Sequence, residues 1–225
     1  MSIPNSKSTI QVDIVSDVVC PWCLVGFRQL ADALKRTGLK AALRWHPFEL
    51  NPEMPSEGEN LRDHLMGKYG INTQQSVEAR QRLTDIGVGL GFAFNFTDDM
   101  RMVNTFQAHQ LLDWADGKEL QSHLKQALFT AYFSDGRDVS DPKVLVKIAA
   151  SVGLDADEAS KVLDNGSHAD EVRKKQQFWT QRGISGVPAM IFDSKYLVTG
   201  AQGVDSYADV LKRVSSGRIS GASEG

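Results

Sequence analysis

The sequence predicts an α/β fold in which a strand–helix–strand unit at one end and a strand hairpin with a closing helix at the other enclose a large α-helical insertion. Three patterns carry this expectation. Apolar and polar residues alternate over Ile10–Val15 and give way to helical spacing after Pro21; the stretch from about Glu57 to Arg182 is helical in its periodicity; and strand signal returns after Gly186.

In the first unit, Ile10-Gln11-Val12-Asp13-Ile14-Val15 runs on to Val18-Val19, as a strand leading into a loop does. From Trp22 to Arg36, Leu24, Phe27, Leu30, Ala31 and Leu34 recur at helical spacing. Pro21 suits the first turn, where an N–H would lack an intrahelical partner anyway, and Gly38 supplies a stop. A second strand is expected over Ala42–His46, closed by Pro47 and followed by Pro52 and Pro55. The insertion divides into helices over Asn72–Leu90, Val103–Ala115, Glu119–Phe133, Pro142–Val152, Asp155–Leu163 and His168–Arg182, with no strand pair among them. Asp141-Pro142 reads as an N-cap followed by proline at N1, Asp155 with Glu158 as a capping box, and Gly183 as a helix stop. Val187–Phe192 and Tyr196–Thr199 about Asp193-Ser194 make a hairpin, and Asp205–Val214 a last helix. Residues 1–56 and 183–214 thus form one discontinuous domain, residues 57–182 an inserted helical domain, and residues 215–225 a flexible tail.

Composition narrows the function. With 25 basic against 28 acidic side chains, the net charge of -3 offers no excess of cations to neutralise a phosphate backbone, so nucleic acid is not an expected partner. No apolar run approaches the ~20 residues that cross a bilayer, and the polar start, Met1–Thr9, has no apolar signal segment; no membrane partner is expected, and the location is expected to be cytoplasmic.

Only two cysteines are present, three positions apart, which excludes a disulfide framework. In a reducing compartment such a pair is catalytic or metal-binding rather than structural. A structural zinc site needs four ligands, and none of His46, His64, His109, His123 and His168 is spaced to complete one, so no metal is expected.

The motif Cys20-Pro21-Trp22-Cys23 falls at a strand-to-helix junction, where a cysteine pair reads as a thioredoxin-like redox motif. A free thiol, with a pKa near ~8.5, is mostly protonated at neutral pH. Unpaired N–H groups and the positive end of the helix dipole favour a thiolate at Cys20, which is expected to be the more exposed and more acidic sulfur and the attacking one. Cys23, one turn later on the same face, is placed to resolve a mixed disulfide on Cys20. Pro21 stiffens the turn and Trp22 presents an aromatic ring beside the sulfur. Further on, Val187-Pro188 follows a glycine-bearing loop. A cis bond there would turn the preceding backbone outward as an edge, although only about 5–6% of X–Pro bonds are cis.

These residues resemble the DsbA family, specifically its FrnE-like branch. The likeness rests on Ser16-Asp17-Val18-Val19-Cys20-Pro21-Trp22-Cys23 with Gly26, on Pro47-Phe48-Glu49-Leu50-Asn51-Pro52, on Asn104-Thr105 with Ala108-His109, and on Gly186-Val187-Pro188 with Phe192. It implies a thioredoxin fold with a large α-helical insertion, a redox-active pair in Cys20 and Cys23, and a cis Pro188 facing them. It also places the helix of Asn104, Thr105 and His109 over the site, so that these three join Pro21, Trp22, Val187 and Pro188 as candidate substrate-binding residues. The expected substrates are protein or peptide disulfides and the candidate reductants thioredoxin or glutathione, with no bound cofactor beyond the redox-active disulfide. The polar start departs from secreted relatives and favours disulfide reduction or isomerisation.

A second reading is a glutathione-dependent isomerase or transferase similar to 2-hydroxychromene-2-carboxylate isomerase and the kappa-class glutathione transferases. That group commonly has serine where Cys20 stands. A third is a redox-inert binding protein on the same fold. Asp17 is expected to serve the turn rather than to carry a proton. His46 is expected to be structural, and His64, His123 and His168 to be helix-surface residues.

Overall fold

The computed structural model describes residues 9–217; residues 1–8 and 218–225, which include most of the expected flexible tail, lie outside the described residues. Four strands form one sheet: β1 (Ile10–Ser16), β2 (Ala41–Pro47), β5 (Ala189–Phe192) and β6 (Tyr196–Thr199), in the order β2-β1-β5-β6. β2 runs parallel to β1, with Ile14 opposite Trp45, whereas β5 is antiparallel to it, with Ile14 opposite Met190. A parallel neighbour needs a crossover, and α1 (Pro21–Thr37) provides it. Gly38 ends α1 at φ 64°, its N–H bonding the Leu34 carbonyl, as expected of a glycine stop. Asp193 and Ser194 both take positive φ in the β5–β6 turn.

Alternation along β1 sends its side chains to two faces. Ile10, Val12 and Ile14 join the main core with Leu30 of α1 and Tyr207 of the last helix, α9 (Val204–Ser215). Val15 faces the other way, with Ala189 and Ile184, towards Trp179.

Between β2 and β5 lie β3 (Glu59–Asn60), α2 (Leu61–Tyr69), α3 (Thr73–Gly89), β4 (Arg101–Met102), α4 (Phe106–Asp116), α5 (Gln121–Phe133), α6 (Pro142–Ser151), α7 (Ala156–Asn165) and α8 (Ala169–Gln181). The expected helices are present, with differences that have local causes. Contrary to expectation the insertion contains a strand pair, the antiparallel β3 and β4. The helix expected from Val103 starts at Phe106, because Asn104 Oδ1 accepts the Phe106 N–H (2.9 Å) and ends the extended chain there. Asp141 caps α6 by accepting from the Lys143 N–H. Asp155 accepts from the Glu158 N–H at 2.8 Å, but the Glu158 carboxylate pairs with Lys118, so the expected capping box is half formed; a complete one joins Asn72 and Gln75 at the start of α3.

The core does not divide at the boundary of the insertion: Ile14, Leu30 and Trp45 belong to one contiguous cluster with Leu111, Leu124 and Phe129. Gln121, at the start of α5, bonds both backbone groups of Trp45, accepting from its N–H (2.8 Å) and donating to its carbonyl (3.0 Å). The exposed side of edge strand β2 is thereby closed by a side chain of the insertion.

Candidate active site

Cys20 is the N-cap of α1 and Pro21 its first residue, so the motif lies where the chain leaves the central strand and begins the helix. Cys23 is completely buried inside the first turn and Cys20 retains 3% exposure, while Trp22 between them is 39% exposed. The Cys20 thiol points across to the lead-in of β5, with Sγ 3.7 Å from the Val187 carbonyl. The Val187–Pro188 bond is cis, as expected. Gly26 lets α1 come this close: a Cβ there would stand 3.3 Å from the Met190, Pro188 and Tyr207 side chains.

Three buried polar residues lie behind the sulfurs. Asp17 is 1% exposed, its Oδ1 accepting from the Val18 N–H (2.7 Å) and its Oδ2 from the Leu50 N–H (2.7 Å). It ties the β1–α1 turn to the segment after β2, the turn role expected for it. His109 on α4 donates through Nε2 to the Phe48 carbonyl (2.9 Å) and more distantly to Asp17 Oδ1 (3.3 Å); a carbonyl can only accept, so Nε2 holds the proton. Lys125 on α5 is fully buried, its Nζ donating to the Ser16 carbonyl at a long 3.4 Å and lying over the rings of Phe129 and Trp45. Sequence reasoning missed Lys125. The available signal was its placement next to Leu124 and four residues before Phe129, on the apolar stripe of α5, where a lysine needs a reason to be.

The two thiols share their protons, and the surroundings decide which sulfur is charged. Burial raises the Cys23 thiol, but the hydrogen bond from Cys20, the Lys125 ammonium and the Ser16 hydroxyl together hold it below its ordinary value. Cys20 is pushed well above its own by its hydrogen bond to Cys23, by burial and by the Cys23 charge. This runs against the expectation that Cys20 is the more acidic thiol: the surroundings favour a negative charge on Cys23 over one on Cys20. The helix terminus favours a Cys20 thiolate, whereas the buried Lys125 cation favours a Cys23 thiolate. Burial lowers Lys125 to about 8, against the opposing pull of Cys23, Asp17 and Cys20. Burial also raises Asp17, yet its bond to His109, the His109 charge and the Leu50 N–H bring it below its ordinary value.

A cavity of about 350 Å³ opens beside Cys20, with Pro21, Trp22 and Val187 in its wall. Pro188 adjoins it through Val187. Asn104, Thr105 and His109 do not line it. Asn104 accepts from the Phe106 N–H just before α4 and donates to the Met54 carbonyl (3.3 Å), Thr105 is buried at the N-cap, and His109 is committed to Asp17 and Phe48. His64, expected on the surface, is a further correction: its ring is largely enclosed, bonds Glu59 (2.6 Å) and Asn51 (3.0 Å), and lines the cavity. His46 is structural, 2.7 Å from Asp13; His168 pairs with Asp113 at 2.7 Å; His123 is exposed.

The fold has counterparts. The probable DsbA oxidoreductase SCO1869 from Streptomyces coelicolor is 30% identical, with a TM-score of 0.85 over 96% of this chain and 94% of that one. The cytosolic disulfide reductase DsbM from Pseudomonas aeruginosa, at 16% identity, shares the fold with a TM-score of 0.62 over 93% of this chain and all of its own. A 2-hydroxychromene-2-carboxylate isomerase does so at 14% identity and a TM-score of 0.68, over 93% of this chain and all of its own. Residues 11–212 match the model of the DSBA-like thioredoxin domain, and the chain belongs to that family.

Proposed function

We propose that the protein is a thiol–disulfide oxidoreductase of the reductase or isomerase type, using Cys20 and Cys23 in a dithiol cycle on protein or peptide disulfides. The observation that carries this reading is the placement of the pair: Cys20 at the helix start facing the Val187 carbonyl, Cys23 behind it against a buried cation. Cys20 attacks one sulfur of the substrate disulfide while its proton passes across the shared hydrogen bond to the Cys23 thiolate. The substrate S–S bond breaks, one half leaves as thiolate, and the other remains bonded to Cys20. Cys23 then gives up its proton to the departing thiolate and attacks Cys20, releasing the second half and closing the Cys20–Cys23 disulfide. Two electrons, from a dithiol or two monothiols such as glutathione, restore the pair. Work in a reducing cytoplasm is part of the proposal, supported by the shared fold with a reductase described as cytosolic.

The test is Cys23→Ser with insulin or a disulfide peptide, read by turnover and intact mass. The expected result is loss of turnover and an accumulated adduct on Cys20, since only Cys23 can displace it intramolecularly. Near-normal disulfide reduction without an adduct would overturn the cycle and favour a glutathione-dependent isomerase, which makes no use of a second thiol.

A further inference from the structure

The cavity beside Cys20 is more than the Cys20/Cys23 cycle needs. Protein interiors pack with few voids larger than a water molecule, and unfilled apolar space destabilises. Yet about 350 Å³ remains between α2, α3 and the redox motif, within the roughly 300–1,000 Å³ typical of small-molecule sites. Helical spacing produces it. Leu61, His64, Leu65 and Lys68 follow one face of α2, and Ser76, Ala79, Arg80 and Leu83 one face of α3, each at intervals of three and four, so both helices present one stripe to the same space. Phe96 and Met102 extend the apolar wall, and the exposed rings of Trp22 and Tyr69 also line it, marking where it meets solvent.

The charged groups in that wall have one sign. Lys68 and Arg80 line it, and no acidic side chain among the described residues does. Lys68 spends its donors on the neutral Leu50 carbonyl (2.8 Å) and Asn51 Oδ1 (2.5 Å). Among the described residues Arg80 makes long contacts, with the Thr97 carbonyl (3.4 Å) and Asp98 (3.5 Å), the latter largely in solvent. Ser76 is 1% exposed and its hydroxyl has no hydrogen-bond partner among the described residues. A buried hydroxyl left unpaired costs about 1–3 kcal/mol, so its place in the wall of a cavity points to an acceptor supplied from outside.

We infer that this cavity seats a small, largely apolar molecule bearing one anionic group, and that low-molecular-weight disulfides of this class are substrates beyond protein disulfides. The inference rests on the Cys20/Cys23 reading for its chemistry, not for its binding. The apolar body lies between the α2 and α3 stripes and the anion meets Arg80, Lys68 and the Ser76 hydroxyl. Cys20 bonds to the sulfur of the seated half, the S–S bond breaks and the outer half leaves as thiolate. Cys23 displaces the seated half as a second thiolate, and two equivalents of a monothiol, oxidised to their disulfide, reduce the pair again.

Two measurements separate the site from the chemistry. Reduced protein is mixed with anionic 5,5′-dithiobis(2-nitrobenzoate) or neutral 4,4′-dithiodipyridine, each rate divided by that of free glutathione thiol with the same reagent. The wild type should favour the anionic disulfide by about tenfold, the scale of one well-placed charge contact, and Arg80→Gln or Lys68→Gln should shrink that preference severalfold. In addition, 2-nitrobenzoate should quench Trp22 fluorescence saturably in a Cys20→Ser/Cys23→Ser variant, which has no thiol, and bind more weakly once Arg80→Gln is added. Equal normalised rates for the two disulfides, or a preference unmoved in both glutamine variants, overturn the inference even when insulin is reduced normally. Saturable 2-nitrobenzoate binding together with failure of the Cys23→Ser trap supports the cavity and overturns the dithiol cycle instead.

Discussion

Lys125 holds a charge in a place that does little to solvate it, and this shapes both the chemistry and the stability of the site. Its ordinary pKa of 10.5 is lowered to about 8 by burial, so at neutral pH the folded chain keeps the ammonium at a cost. Between pH 8 and 10.5 the unfolded chain binds a proton that the folded one has released; this residue's contribution to stability therefore rises with pH across that window, and its penalty is fully present below it. Lys125→Met should accordingly stabilise the reduced protein at pH 7, by on the order of 3 kcal/mol at most, with the gain fading above pH 10. The same substitution removes the cation that favours the Cys23 thiolate, so the thiolate absorbance near 240 nm should titrate at higher pH and disulfide turnover should fall. A variant that becomes less stable at pH 7 and leaves the thiolate titration unmoved would exclude this role. A residue that weakens the fold while charging a sulfur is legible only in three dimensions: Cys20 and Cys23 announce themselves by spacing, whereas Lys125 meets them from another helix.

At the scale of elements, the redox helix depends on how closely it can approach β5. Gly26 is in the interior of α1, where glycine costs about 0.5–1 kcal/mol relative to alanine, and the 3.3 Å clearances to Met190, Pro188 and Tyr207 explain why it is there. Gly26→Ala should be nearly neutral, helix propensity offsetting a tight contact. Gly26→Val should cost about 1–3 kcal/mol in urea denaturation, because its added methyls have no space, and should slow Cys20 by displacing it from Val187. Helix boundaries were legible where proline or glycine marks them, as at Asp141 with Pro142 or at Gly38, but not at the start of α4, where Asn104 sets the boundary. They were misread where two segments cooperate, as in the β3–β4 pair, whose two-residue strands carry no periodicity of their own. The cavity was hidden for a related reason. Ser76 and Arg80 look like the polar face of a surface helix until α2 is seen to run beside α3.

For the molecule as a whole, the expected division into two domains describes the path of the chain better than its cohesion, since the core runs through both parts. Gln121 is the clearest joint. Replacing it with leucine would strand the Trp45 N–H and carbonyl, and at about 1–3 kcal/mol for each buried unpaired group Gln121→Leu should lower stability by roughly 2–6 kcal/mol. Helical circular dichroism and tryptophan fluorescence should still report one coincident transition; separate transitions would show that sheet and insertion unfold apart. Apart from β3 and β4, the order of elements was readable from the sequence because the longer ones follow their own periodicity, but their mutual grip was not, since glutamine at a helix start resembles any polar residue. The position of Lys125 on the insertion has one more result. Oxidation of the cysteine pair removes the thiol whose ionised form this cation favours, so the two redox forms have different folding free energies. A thermodynamic cycle equates that difference with the displacement of the pair's reduction potential from that of the same thiols in the unfolded chain, about 30 mV for every 1.4 kcal/mol. The helical insertion thus acts as ballast on an electrochemical balance, and the melting curves of the two forms serve as its voltmeter.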